Sequence, residues 1–275
     1  MKSIYIFSFL FLSLNSVAQE YITIDTTMIE CYYTYNFQQD SLNINSRKSQ
    51  EMILQVGSKS SKFASVNKLY VDSLLMIYKD ESPDIAAGKI LPMVMGAGIH
   101  AFCNFEIYKN YPGIGNIITT GYYNNKHLKV IEENRLDWKI VEDMDSVILG
   151  LRCNMAQTYY AGRNYVVWFT PDIPINDGPY KFCGLPGLVL DVQDKQNQHH
   201  FSLTGLKRNT GKAICFIKNN YVEVSPPDFV RAVHLRSQLM YDKILHEDGI
   251  TPSNDESKAR MLERQKSRNN FIEKY

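Results

Sequence analysis

The sequence carries almost no excess charge, because 30 Lys and Arg residues face 29 Asp and Glu residues and leave a formal net charge of +1. Surfaces that bind nucleic acid need a dense basic patch, so this balance argues against DNA or RNA as a partner. Long apolar runs are also lacking beyond the first 18 residues, since even residues 85–99 are interrupted by Gly88, Pro92 and other breakers. After removal of an N-terminal leader we therefore expect no membrane span.

Phosphate-binding loops and metal-ligand spacings are lacking as well. The glycines at 184–187 fit neither GxGxxG nor GxxxxGK[ST], and a strand pattern rather than a helix follows them. His199 and His200 are neighbours that point to opposite sides of a strand, which disfavours joint metal coordination with Asp191 or Asp194. The sequence therefore predicts no metal and no other cofactor.

The first 18 residues have the parts of a secretory signal peptide. Lys2 precedes an apolar run at residues 4–14, and small residues, including Ala18, stand before Gln19. The run is shorter than the roughly 20 residues of a membrane-spanning helix. We predict cleavage after Ala18 and a mature protein that is periplasmic or secreted.

Residues 19–225 are predicted to form a mainly β domain with an antiparallel sheet. Its 18 Tyr and 13 Phe suit pleated surfaces, and turn signals separate short runs of alternating apolar residues. Residues 61–78 fit neither a helix nor a strand period, and residues 85–101 predict an insertion that folds back as a helix. The predicted strands are 21–37 at a sheet edge, 52–56, 105–108, 117–123, 128–133, 138–141, 146–151, 153–160, 165–170, 188–192 and 200–206.

Residues 226–275 are predicted to form a C-terminal helical segment. Ser225 can cap a helix, prolines are tolerated in its first turn, and apolar residues then recur at helical spacing over residues 228–246. Residues 254–272 are highly charged and predict a solvated tail or a weak helix.

One stretch, residues 177–192, combines tight turns with a buried strand. Pro186 fixes its own φ, and Gly184 and Gly187 can adopt positive φ, so a compact loop is expected. After the loop, apolar residues alternate at period two, as in a strand with one face on a core. We call residues 177–188 the signature loop; the residues singled out in it are Gly178, Pro179, Lys181, Cys183, Gly184, Leu185, Pro186, Gly187 and Leu188.

This stretch resembles the signature of the GLPGLI family of bacterial envelope proteins. The longest matching runs are GRNYVVWFTPDIPI at 162–175 and DGPYKFCGLPGLVLDV at 177–192. Shorter matches lie at 61–63, 108–112, 138–140, 150–153, 201–205 and 270–273. The resemblance implies an envelope location and no established biochemical activity.

Five cysteines in a secreted chain allow at most two disulfides. Cys153 and Cys183 are the two that lie in the matching part of the chain, and we predict a bridge between them, whereas the pairing of Cys31, Cys103 and Cys215 stays open. The competing hypothesis makes Cys183 a nucleophile with a histidine base from position 199 or 200. Its surroundings in the sequence supply no visible stabilisation for a thiolate.

Two cations, Arg163 and Lys181, lie in matching segments and are flanked by tyrosines. They either bind an anion or pair with Asp172 or Asp177. With Trp168 and Tyr180 they form our candidate ligand-binding set.

The predicted architecture is a curved antiparallel sheet or half-barrel with a C-terminal helix, similar to the folds of periplasmic lipoprotein carriers. Abundant aromatic residues without a convergent acid–base set favour a non-catalytic binding or accessory protein for an apolar ligand or a peptide segment. A hydrolase that uses Asp177, Asp191 and His199 or His200 is the alternative from another class, although aspartates among prolines and glycines usually form turns. An accessory partner of an outer-membrane transporter is the third hypothesis.

Overall fold

The computed structural model describes residues 20–97, 99, 103–123, 126–233 and 268–275. The predicted signal peptide, residues 1–18, lies outside these residues. The strands are β1 Glu20–Thr26, β2 Ile29–Gln38, β3 Arg47–Val56, β4 Ser61–Ser65, β5 Glu106–Lys109, β6 Asn116–Tyr123, β7 Lys126–Glu133, β8 Lys139–Ile148, β9 Leu151–Tyr160, β10 Arg163–Thr170, β11 Leu188–Asp194, β12 His199–Arg208, β13 Ala213–Lys218 and β14 Tyr221–Glu223. The helices are α1 Val66–Ile77, α2 Pro83–Gly96, a single 3-10 turn at Ile44–Ser46, and residues 226–233.

Twelve of the strands form one open, curved sheet in the order β14-β7-β6-β5-β4-β3-β2-β12-β11-β10-β9-β8. Neighbouring strands are antiparallel except at one edge, where β14 runs parallel to β7. β1 and β13 pair in a separate two-stranded sheet. The prediction of a mainly β, antiparallel fold with a helix after residue 225 is confirmed. No helix among the described residues is long and apolar enough to cross a membrane.

The predicted single strand at residues 21–37 is wrong, because the chain divides there into β1 and β2. The backbone amides of Lys59 and Ser60 donate to the Asp25 carboxylate at 2.6 and 3.0 Å, and the pairing of β1 with β13 is irregular at Asp25. β2 then lies between β3 and β12 in the middle of the large sheet, not at its edge.

Three other segments differ from expectation. The predicted strands at 138–141 and 146–151 are largely one strand, β8, whose register shifts between Val141 and Asp145. The segment left open at 61–78 divides into β4 and α1, because the Ser65 hydroxyl caps the helix by accepting from the Lys68 amide at 3.0 Å. β13 and β14 were not predicted.

Helices α1 and α2 pack against each other through a small apolar cluster of Val71, Leu74, Ala86, Ile90 and Val94. Helix α2 begins at a proline, which suits a first helical turn, so the helix predicted within residues 85–101 is present.

The predicted C-terminal helical segment is only partly helical. Residues 226–233 are helical, and the predicted continuation to 246 lies outside the described residues. Residues 268–275 contain no helix, and their Asn270 and Glu273 side chains bind Arg163 on β10 and Lys181 of the signature loop.

The two faces of the sheet have different characters around β10, β11, β12 and β2. In-register neighbours Val167, Val192, Phe201 and Tyr35 are all buried and belong to the main core on the inner face. The rings of Tyr35 and Phe201 stack with centroids 4.1 Å apart. The signature loop covers this core through side chains such as Phe182, which is fully buried. The loop is therefore held against the inner face of the sheet.

Candidate functional site

The candidate ligand-binding residues divide between the two faces of the sheet. Arg163, Tyr165 and Val167 alternate along β10 as buried inner-face residues, whereas Trp168 points outward and is only half-buried. Tyr180 stacks on Phe201, with ring centroids 6.2 Å apart, which places it on the inner face as well. Arg163, Tyr180 and Lys181 therefore surround one site, and Trp168 does not belong to it.

The signature loop adopts the positive φ predicted at its glycines. Gly184 has φ of 98° and Gly187 has φ of 155°. A Cβ on Gly187 would lie 2.1 Å from the Thr170 carbonyl oxygen, so only glycine fits between the loop and β10. Trp138 donates from Nε1 to the Cys183 carbonyl at 3.0 Å and fixes the other side of the loop.

A buried ion pair anchors the start of the loop. Lys109 on β5 binds the Asp177 carboxylate and also donates to the Gly178 carbonyl oxygen, and its side chain is only 2% exposed. The Gly178 amide donates to the same carboxylate at 2.7 Å. Asp177 is thus engaged in holding the loop and is not free for acid–base chemistry.

The cation Arg163 binds residues 268–275, which we call the clasp segment. Its guanidinium donates to the Asn270 side-chain oxygen at 2.5 Å and to the Phe271 carbonyl at 2.8 Å. On its other side it pairs with Asp194 at 2.8 Å. Tyr165 lies next to it and donates to the Ile272 carbonyl at 3.0 Å.

The cation Lys181 binds the next buried side chain of the clasp segment. Its Nζ lies 2.7 Å from Glu273 and also pairs with Glu132 at the end of β7. Tyr180 and Tyr160 donate to the same oxygen of Glu273 at 2.6 and 2.8 Å. The expected anion partner of Lys181 is therefore a carboxylate of this chain, and it is neither Asp172 nor Asp177.

The pKa values of this cluster follow from burial and from the ion pair. Burial opposes ionisation of Glu273, but Lys181 and the tyrosine hydroxyls outweigh it and lower the pKa of that carboxyl. Burial and the Glu273 charge raise the pKa of Tyr160 and Tyr180. The carboxylate stays ionised and the phenols stay protonated at neutral pH.

A solvent-reaching cleft of about 310 Å³ adjoins this cluster. Its lining consists of Glu132 and Glu133 at the end of β7, residues 134–136 that follow them, and Ile117, Tyr160 and Lys181. Arg135 and Glu133 pair with each other at the rim, where their side chains are 79% and 66% exposed. The sequence had not indicated the part of the cleft formed by residues 132–136. The short resemblance to the GLPGLI signature at 270–273 was the one signal that pointed to Glu273.

The predicted disulfide between Cys153 and Cys183 is absent from the structure, in which all five cysteines are free. Each of these two thiols instead donates to a carbonyl two residues earlier, Cys153 at 3.4 Å and Cys183 at 3.5 Å. Burial raises the pKa of Cys183 to about 12, which disfavours the thiolate that a nucleophile requires.

The residues of the alternative hydrolase hypothesis do not converge on one site, because only Asp191 and His200 are in contact. On the outer face, His200 Nε2 contacts Asp191 at 2.8 Å and Ser202 at 2.9 Å. Asp191 and Ser202 therefore contact the same nitrogen of the His200 ring, whereas in a catalytic triad the carboxylate and the hydroxyl contact different ring nitrogens. His199 lies on the inner face, 2.7 Å from the Tyr35 hydroxyl. No group of three or more metal-ligating side chains occurs among the described residues.

Comparison with known proteins gives a partial family match. The sequence model of a family described as "Protein of unknown function (Porph_ging)" matches residues 119–191, which include the signature loop. No curated protein matches the chain.

Structures of PNGF-II in the P21 and C2 space groups are similar over 75% of this chain, with 16% and 15% sequence identity and a TM-score of 0.49 for each. The chain covers 33% and 32% of those two chains, about a third of their length.

Proposed function

We propose that the protein is a non-catalytic binding or accessory protein of the bacterial envelope, related to the GLPGLI proteins, which binds a peptide segment at the cleft beside Lys181. The observation that carries the proposal is that Lys181 and its tyrosines already hold a carboxylate of a non-helical segment at the edge of an open cleft. The signal-peptide pattern at residues 1–18 supports the extracytoplasmic location.

The chemistry of the cleft favours binding over catalysis. Among its described lining residues there is no serine, cysteine or histidine to serve as a nucleophile or a base. Its carboxylates are paired with Lys181 or Arg135. A general acid needs a raised pKa, yet the pKa of the buried Glu273 is lowered.

The packing of the inner face favours a peptide over an apolar ligand. In the described part of the chain, this face is filled by aromatic side chains such as Tyr35, Phe182 and Phe201. Of the eight residues that line the cleft reaching solvent, four are charged and one is an asparagine. Covering these groups with a lipid chain would remove them from water without offering them any hydrogen bond, which disfavours a purely apolar occupant.

Photocrosslinking in the cells that produce the protein tests the proposal. A photoreactive amino acid at Arg135, on the rim of the cleft, should yield a discrete adduct whose mass identifies a protein segment. The matched control is Tyr159, which is 68% exposed. It adjoins Tyr160 but points to the opposite face. Adducts of equal yield at both positions, or adducts at neither, would rule out a partner at the cleft.

A further inference from the structure

We propose that the groove around the clasp segment, formed by residues such as Arg163, Tyr165 and Lys181, recognises a non-helical peptide of the pattern Asn-x-x-Glu, and that a segment of this kind on a partner protein replaces the clasp segment. This inference rests on the proposed binding function and names the class of partner. Residues 269–274 are its resident occupant, and their contacts define what the partner must offer.

The groove buries two side chains and contacts the main chain between them, whereas the Asn269 side chain bonds Asp40 and the Ser41 amide in an exposed position. Asn270 and Glu273 are buried, at 6% and 4% exposure, whereas Phe271 and Ile272 are half-buried. Arg163 and Tyr165 contact the carbonyl oxygens of these two central residues, and a carbonyl is the same in any sequence. Specificity therefore lies in an amide and a carboxylate spaced three residues apart.

Amide and carboxylate are each recognised by more than one group. The Asn270 oxygen accepts from Arg163, while its nitrogen donates to the Gln38 carbonyl at 2.8 Å, so neither aspartate nor leucine could replace it fully. Glu273 accepts from Lys181 and from two tyrosine hydroxyls. Such a charged, multiply bonded anchor discriminates against a neutral side chain.

The groove can lose its occupant without leaving a cation unpaired. Arg163 retains Asp194 and Gln198, and Lys181 retains Glu132. An uncompensated buried charge would be strongly destabilising, and these resident partners avoid it. The clasp segment also forms no strand with the sheet. Backbone hydrogen bonds tie it down near its ends, from residues 269 and 270 to Gln39 and from Lys274 to Ala161. Its exchange therefore leaves the strand ladders intact.

The cleft provides the place where exchange can begin. It shares Lys181 and Tyr160 with the Glu273 site, so an incoming carboxylate can reach the lysine from solvent. The segment within the chain competes at an effective concentration on the order of millimolar, so for a segment whose own Kd at the groove is about 10–100 μM, binding of a free peptide is weakened by about 10- to 100-fold.

The test uses the full chain and a fluorescent, end-capped peptide with the sequence of residues 268–275. Fluorescence anisotropy should show at least about tenfold tighter binding to the double variant Asn270→Ala and Glu273→Ala than to the wild type. The variant Arg268→Ala, which changes an exposed clasp residue outside the 269–274 occupant, should behave like the wild type. A peptide that carries alanine at both anchor positions should not bind. A folded double variant that ignores the intact peptide would overturn the inference.

A second measurement covers the case in which the double variant does not fold. Excess peptide added to the wild type should increase hydrogen exchange in residues 268–275 without changing exchange in β10. No increase at saturating peptide would mean that the clasp segment is a fixed part of the fold. If this peptide fails while crosslinking at Arg135 still captures a protein, the binding function stands and only the Asn-x-x-Glu pattern is wrong.

Discussion

Replacing each of two glycines of the signature loop by alanine separates backbone strain from steric exclusion. Both Gly184 and Gly187 have positive φ, so both alanines are strained. Their surroundings differ. The Cβ of an alanine at 187 would lie 2.1 Å from the Thr170 carbonyl oxygen and 2.7 Å from its carbon, which belong to the β10 backbone. At 184 the nearest atom is the side-chain nitrogen of Asn134 at 3.2 Å.

These contacts determine the expected losses in the free energy of unfolding. Unfavourable φ at a non-glycine residue costs about 1–3 kcal/mol, which applies to both variants. Gly187→Ala additionally forces the loop away from a strand, and overpacking of this kind costs about 1–3 kcal/mol. Asn134 can move aside by a few tenths of an ångström. We therefore expect a loss of about 4 kcal/mol for Gly187→Ala and about 2 kcal/mol for Gly184→Ala.

Urea unfolding followed by tyrosine and tryptophan fluorescence measures both losses against the wild type. The denaturant slope should stay unchanged, so that the midpoints report stability alone. Equal losses within about 0.5 kcal/mol would refute the steric part of the reasoning. Two losses below that value would refute the strained loop geometry itself.

Three further predictions concern charge, pH and thiols. Lys109→Met should lower the free energy of unfolding by about 3–5 kcal/mol because it leaves a buried carboxylate unpaired. The control Arg152→Met removes a side chain that is 83% exposed and should cost under about 1 kcal/mol. Equal effects in urea titrations would contradict the assigned role of the buried pair. Burial, with Arg163 and Lys274 nearby, lowers the pKa of His199 well below 6.5. The unfolded chain therefore takes up a proton first, and stability is lost as pH falls below about 6.5; a His199→Asn variant that shows the same acid loss in thermal melts would disprove this cause. Thiol titration of the protein should find five free cysteines after denaturation and at most one reactive cysteine before it, since four are buried and Cys215 is half-buried; fewer than five after denaturation would indicate a disulfide.

Local features of the sequence predicted the hairpins well. Turn signals at 161–164 and 194–198 lie at the connections of β9 with β10 and of β11 with β12, and the runs that flank them become the expected strands. The glycines at 184 and 187 have the positive φ that their context suggested. Turns and positive φ depend on residues that are close in the sequence, so they can be predicted from the sequence alone.

Contacts between residues far apart in the sequence could not be predicted in the same way. Tyrosines flanking Lys181 indicated an anion site, but Glu273 and Glu132 lie 92 and 49 residues away from that lysine in the sequence. Trp168 was predicted as a ligand-binding residue, but the alternation along β10 sets it on the opposite face from Arg163. The predicted Cys153–Cys183 disulfide is absent for a related reason. The number of cysteines and an oxidising location do not determine which two thiols lie close enough to pair.

The strand order also bears on how the chain reaches its fold. β2 to β7 follow one another in space as in sequence, and so do β8 to β12, so each half of the sheet forms by pairing strands that are consecutive in the sequence. The halves meet where β2 pairs with β12, and there Tyr35 contacts His199 across 164 residues of sequence. Contacts of such separation are slow to form. Two fragments divided between β7 and β8, within residues 134–138, would therefore each retain a run of consecutively paired strands. Their association through the β2–β12, β7–β14 and β1–β13 pairings would reproduce the slow step of folding as a bimolecular reaction.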